Sequence, residues 1–298
     1  MTLSRSRGGG RQMKRSHGPV VRMRRLGREL RRLREDSRMT IEQAGKAIDR
    51  SDSTISRIEN GGRKLQLIEL RGLLDAYEAS KEQRELLLNL FQDGPEQGWW
   101  TVYEDALPPN LATYIGLEAD AATLRVYTLA MVHSLLRTED YSRAIHRAGR
   151  PTAQNSEIDT LVAFHSHRQE ALTRKPHPLE LNAVLDEACL RRFVGGREVM
   201  RAQLQYLAHY AREVPNVTLQ VLPFSKGAHA ALHGSFTILD FPDPAEPVVV
   251  YLDTPGGNLY MQKPHDIRRF DADFGRLRGM ALDEEESAQF LETLLEEL

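Results

Sequence analysis

Apolar residues recur every three to four positions through the first third of the chain. Leu26, Leu30 and Leu33 lie on one face of a helix predicted over 21–34, with arginines on its other faces. Ile41, Ala44 and Ile48 mark a second short helix, and Ile55 with Ile58 anchor a third over 52–60. Leu67, Leu70, Leu73, Leu74 and Tyr77 predict a fourth over 65–77, and Leu86, Leu87 and Leu90 a fifth over 81–91. Beyond GPEQGWW at 94–100 the same period returns. It predicts helices over 110–132, in the LLRTEDYSRAI segment with Thr138 as its cap, and over 155–174 and 196–212. The period then shortens. A strand is predicted at 179–185, and short β-rich runs follow at 217–224, 235–241, 247–253 and 258–262, the last three as an antiparallel meander. Helices over 265–277 and 284–298 close the chain. The expected fold is an all-α five-helix domain followed by an α+β domain with a small antiparallel sheet. The expected boundaries are a disordered basic arm at 1–19, a helical domain at 20–93, a linker at 94–109 and the α+β domain at 110–298.

The stretch 39–61, MTIEQAGKAIDRSDSTISRIENG, carries the most local information. The Thr40 hydroxyl can accept a bond from a first-turn amide, and Gln43 can reach back to complete a capping box. Asp49-Arg50 break the pattern, Ser51 can cap the next helix, and Gly61 suits a left-handed stop. Two short helices around a tight turn, the second with a short polar outer face, are helix-turn-helix geometry. In that geometry the second helix enters the major groove. Asp52, Ser53, Thr54, Ser56 and Arg57 are therefore the expected base-reading residues. Arg57 can bond twice to guanine, the serines to several base edges, and Asp52 to a cytosine amino group. Thr40, Gln43, Asn60, Arg63 and Lys64 are the expected phosphate contacts.

STISRIENG preceded by TIEQAGKAI resembles the phage-repressor-like (XRE) helix-turn-helix family. The chain departs from it at Ile41, where that family usually has Gln, and at Asp49, where it usually has a turn Gly. The later segments YIGLEADA, LLRTEDYSRA, LDEACLRRFVGG, VTLQVLPFSKGAH, GSFTILDFPD and VVYLDTPGG resemble the domain of unknown function that follows this motif in many actinobacterial regulators, often described as antitoxin-like. His133-Ser134 stands where that family usually has Pro-Gly. The resemblance implies a regulator whose second domain senses or docks something, a small protein encoded by a neighbouring gene being one option.

Charge sharpens the division. Residues 1–72 hold 19 Lys/Arg against 8 Asp/Glu, and residues 73–298 hold the other 21 against 34, within totals of 40 and 42. A head of net +11 is the electrostatic footprint of phosphate binding, and a remainder of −13 is repelled by DNA. The Arg-, Ser- and Gly-rich first 19 residues have two readings, a phosphate-tracking arm or a start further on at Met13 or Met23. No run of about 18 apolar residues occurs, so a cytoplasmic protein without a membrane span is expected.

Enzymatic chemistry finds little footing. Cys189 is the single cysteine, which excludes an internal disulfide and reads as a buried thiol. His229 and His233 have the i, i+4 spacing of helical metal ligands. They lie between Gly227 and Gly234 and lead into a strand, which argues against a helix there. His165 and His167 are too close in sequence to share a helix face. Acidic pairs such as Glu139-Asp140 and Asp186-Glu187 read as caps and solvated faces. Trp99 and Trp100 read as packing at the domain boundary. The expectation is a sequence-specific DNA-binding transcriptional regulator, a homodimer, with no catalytic residues, no metal and no cofactor. The alternatives are an antitoxin-like protein that binds a small partner and autoregulates its operon, and an enzyme–regulator hybrid.

Overall fold

Five helices come first: α1 (Pro19–Asp36), α2 (Ile41–Ala47), α3 (Asp52–Glu59), α4 (Leu67–Ala76) and α5 (Lys81–Gln92). The computed structural model describes residues 18–63, 65–92, 98–107, 111–254 and 257–298. The basic arm up to residue 17, Lys64 and part of the linker lie outside these residues. The chain divides into two compact units, residues 1–96 and 97–298.

In the first unit α1 opens at Pro19, whose fixed φ suits a first helical position. Leu26, Leu30 and Leu33 point inward to meet Ala44, Ile55, Ile58, Leu70, Leu73, Leu74, Tyr77 and Leu87. Each fully buried Leu or Ile contributes roughly 1.5–3 kcal/mol from apolar burial. Gly27 lets α1 press against the end of α3, because a Cβ there would lie 2.4 Å from the Ile58 carbonyl oxygen. The helix pattern of the sequence is reproduced element for element.

The second unit departs from expectation at its centre. The segment read as one helix over 110–132 is α6 (Leu111–Asp120) followed by β1 (Thr123–Thr128). The remaining elements are α7 (Glu139–Gly149), α8 (Asn155–Gln169), β2 (Glu180–Asp186), α9 (Glu187–Arg191), α10 (Arg197–Glu213), β3 (Val217–Leu222), β4 (Phe236–Asp240), β5 (Val249–Thr254), β6 (Gly257–Met261), α11 (Pro264–Met280) and α12 (Glu284–Glu297). Thr138 caps α7 by accepting from the Tyr141 amide.

The sheet is therefore not small and antiparallel. It has six strands in the order β3-β2-β1-β4-β5-β6. β1, β2 and β3 run parallel, with helices in each crossover, and β4 to β6 form the expected antiparallel meander on the other side of β1. The reason is burial: Thr123 and Arg125 alternate with covered Leu124 and Val126, but residues 126–128 are buried in succession, so the alternation that betrays a half-exposed strand is too short to read. The expected linker also carries structure. Trp99–Ala106 is a 3-10 helix, and the Trp99 ring stacks on His167 of α8 with centroids 4.1 Å apart.

Candidate nucleic-acid interface

The first unit builds its turn from local bonds. The Gln43 amide donates to Thr40 Oγ1 at 3.1 Å, and the Thr40 amide donates to Gln43 Oε1 at 2.8 Å, so the capping box at the start of α2 is complete. Just past the end of α2, Asp49 adopts φ +56°, a left-handed value that a non-glycine residue takes at a steric cost. Ser51 then caps α3 by accepting from the Thr54 amide at 3.3 Å. Gly61 takes φ +68° just past the helix, where its missing side chain also lets the backbone lie against Arg24.

The helix α3 so framed has two unlike sides. Ile55 and Ile58 are fully buried, and Asp52, Ser53, Arg57 and Asn60 are exposed, with Ser56 half-buried between them. The Arg57 Nε donates to the Ser53 carbonyl at 3.3 Å, which lays the side chain along the helix and leaves its terminal nitrogens outward. Asn60 Nδ2 approaches Ser56 Oγ at 3.5 Å. Thr54 departs from the expected outward set. It is 8% exposed, and its hydroxyl lies 3.0 Å from Ser51 Oγ, so it braces the turn from within. Ser51 Oγ also lies 2.9 Å from Ser53 Oγ.

Thr40 and Gln43 are both exposed at the start of α2. Their capping bonds leave the Thr40 hydroxyl proton and the Gln43 side-chain NH2 able to donate, the chemistry a phosphate requires. Arg63 is held differently. Its two terminal nitrogens reach Glu69 of α4 at 3.2 and 2.9 Å, and Arg50 Nε reaches the same carboxylate at 2.7 Å. The Gln66 amide adds a fourth bond to Glu69 at 3.0 Å. Burial pushes this carboxyl up, but the bonds from Arg63, the Gln66 amide and Arg50 outweigh it and hold the group below its ordinary value. A buried anion thus pins two arginines beside α3. Arg50 and Glu69 did not stand out in the sequence, although Gln66 three residues before Glu69 is a capping-box signal.

A second buried pair orients α3. Arg34 of α1 grips Glu59 at the end of α3, and the bond to Glu59 holds the guanidinium above its ordinary value. The result is a rigid helix with a short, hydroxyl-rich, singly cationic outer face, framed by capped termini and flanked by arginines. Such a surface can enter a major groove and bond to base edges.

No comparable ligand-binding arrangement marks the histidines of the second unit. The stretch between Gly227 and Gly234 forms no helix: His229 turns inward onto Asp186 at 3.5 Å, and His233 is exposed. Among the described residues no group of three or more His, Cys, Asp or Glu side chains is arranged to hold a metal ion, and no helix is long and apolar enough to cross a membrane.

Comparison with known proteins agrees with the geometry. Residues 25–87, from within α1 to within α5, match a helix-turn-helix domain family. No curated protein and no solved structure matches the chain. Residues 111–293, more than half of the 298, match a family described as a domain of unknown function, and the chain belongs to that family, DUF5753.

Proposed function

We propose that the chain is a sequence-specific transcriptional regulator of the XRE type, acting in the cytoplasm as a homodimer. The observation that carries the reading is α3 itself, capped by Ser51, clamped through Glu59, and presenting Asp52, Ser53, Ser56 and Arg57 outward. The net charge of +11 in residues 1–72 supports it, since phosphate contacts supply most of the affinity of such domains. In this reading Arg57 reads a base, and Thr40, Gln43, Asn60, Arg63 and Lys64 position the phosphates. A dimer places two copies of α3 about one helical turn apart, so the operator is a palindrome of that spacing.

The acidic second unit serves in regulation or partner docking, not catalysis. Cys189 supports this, since burial pushes its thiol up to about 12 and keeps it from acting as a thiolate. A second reading, an antitoxin-like protein that neutralises a small partner and autoregulates its operon, is favoured by exposed apolar side chains at one edge of that unit.

Selection of random duplex DNA by the purified full-length protein at near-physiological salt tests the proposal. The expected result is enrichment of one palindrome. General, salt-sensitive binding with no enriched sequence would remove sequence reading by the free protein.

A further inference from the structure

Six large apolar side chains of the second unit stand exposed among the described residues: Val102, Met131, Phe193, Phe224, Leu232 and Leu259. Four of them lie on the loops that follow the three parallel strands. Met131 comes after β1, Phe193 after β2 and α9, and Phe224 and Leu232 between β3 and β4. Since β1, β2 and β3 are parallel and β4 starts opposite Tyr127 near the end of β1, these loops share one edge of the sheet.

Hydrogen bonds brace that edge. The Leu129 amide donates to Ser235 Oγ at 3.0 Å, and the Phe224 amide to Glu187 Oε2 at 2.7 Å. Beneath them Asp186 accepts from the Tyr127 hydroxyl at 3.0 Å and holds His229 Nε2 at 3.5 Å. The apolar side chains are thus carried on loops tied to one another and to the strands. Phe193 is 60% and Phe224 57% exposed, a large outlay of aromatic surface. Apolar groups gathered at one place on a surface mark a site of interaction.

Charge identifies the occupant. Arg192, beside Phe193, and Lys226, two residues past Phe224, are exposed and make no ion pair among the described residues. In a unit of net negative charge these two cations flank the exposed apolar side chains. Packing this edge against the same edge of a second copy would bring like charges together across a two-fold axis. A segment carrying carboxylates meets no such penalty.

We propose that the carboxyl edge of β1, β2 and β3 docks a polypeptide segment of another protein, with apolar anchors flanked by Asp or Glu. This rests on the reading of the second unit as a partner-docking module and names its surface and the chemistry it takes.

Selection of displayed random peptides against the full-length chain tests the proposal. The expected pool is rich in large apolar residues and in Asp and Glu. Binding should weaken by about tenfold or more in the Phe193→Ser/Phe224→Ser double variant, the loss expected when an anchor is removed. The Arg192→Glu/Lys226→Glu variant should reverse the preference, enriching Lys and Arg. All four side chains are exposed, and circular dichroism is the check on the fold of each variant. An unenriched pool, a pool without acidic bias, or binding indifferent to both double variants would overturn the proposal. So would a dimer in sedimentation that dissociates on Phe193→Ser/Phe224→Ser, since the edge would then belong to a second copy. Duplex selection on the same variants should be unchanged, so failure of peptide docking and failure of DNA recognition are read separately.

Discussion

The guanidinium of Arg34 and the carboxylate of Glu59 meet in a two-pronged ion pair, Nε to Oε1 at 2.6 Å and Nη2 to Oε2 at 3.0 Å, with both side chains under a tenth exposed. A third nitrogen, Nη1, donates to the Met39 carbonyl at 2.9 Å, so one side chain ties α1 to α3 and to the loop before α2. The orientation of α3 is therefore set by a pair 25 residues apart in sequence.

Breaking that pair is expected to be costly. Glu59→Ala leaves a buried guanidinium uncompensated, at about 3–5 kcal/mol, whereas Arg34→Met with Glu59→Leu removes both charges and recovers most of it. Urea unfolding followed by circular dichroism checks this. Equal losses in the single and double variants would show that the pair is not what holds α3.

Arg57 and Arg63 should fail in different ways. Arg57→Ala is expected to relax preference at one base pair, at roughly 1–3 kcal/mol. Arg63→Ala should weaken all sequences alike and reduce the salt dependence by about one phosphate contact. Because Arg63 also binds Glu69, its variant loses some stability as well. Binding titrations on matched and single-mismatch duplexes over a range of salt separate the two. Identical behaviour would end the division between base reading and phosphate positioning.

What the sequence made legible is what local chemistry decides. Thr40 with Gln43, Ser51 with the Thr54 amide, and Gly61 at positive φ all act within a few residues, and each lies where spacing placed it. Thr54 is inward because the hydroxyl it meets belongs to Ser51, one helical turn back, an alternative that its residue type does not distinguish from base contact. Arg63 bears its charge where expected, yet its partner Glu69 is on the next helix. β1 is the larger miss. Its side chains meet Glu180 and Asp240, 57 and 115 residues away, and a strand whose last three residues are buried in succession carries too short an alternation to announce it.

Asp49 offers a test of the turn alone. At φ +56° its Cβ crowds the backbone, a strain that glycine does not feel. Asp49→Gly should be neutral or stabilising by about 0.5–1 kcal/mol, the relief being partly offset by the greater freedom of the unfolded chain. Asp49→Val should destabilise by about 1–2 kcal/mol, since a branched side chain tolerates this conformation poorly. Urea midpoints by circular dichroism rank the three proteins, and a midpoint for Asp49→Val at or above the native one would refute the strain.

The second unit should weaken in mild acid through His133, His146 and His165. Burial first, and then the positive field of Arg168 and Arg137, holds His133 and His165 well below the ordinary histidine value. Burial with Arg137 and Arg150 lowers His146 to about 4. The fold thus keeps these rings neutral while the unfolded chain protonates them near 6.5. Stability is therefore full above about pH 6.5 and falls as pH drops toward 4, because the unfolded state binds the additional protons. For His146 alone the loss is on the order of 3 kcal/mol once pH reaches its folded value. Urea midpoints by tryptophan fluorescence at pH 7.5, 6 and 5 should fall in turn, and His146→Gln should flatten the slope. Carboxylates titrate mainly below this window, so a midpoint unchanged from pH 7.5 to 5 would mean that the buried rings take up their protons without unfolding.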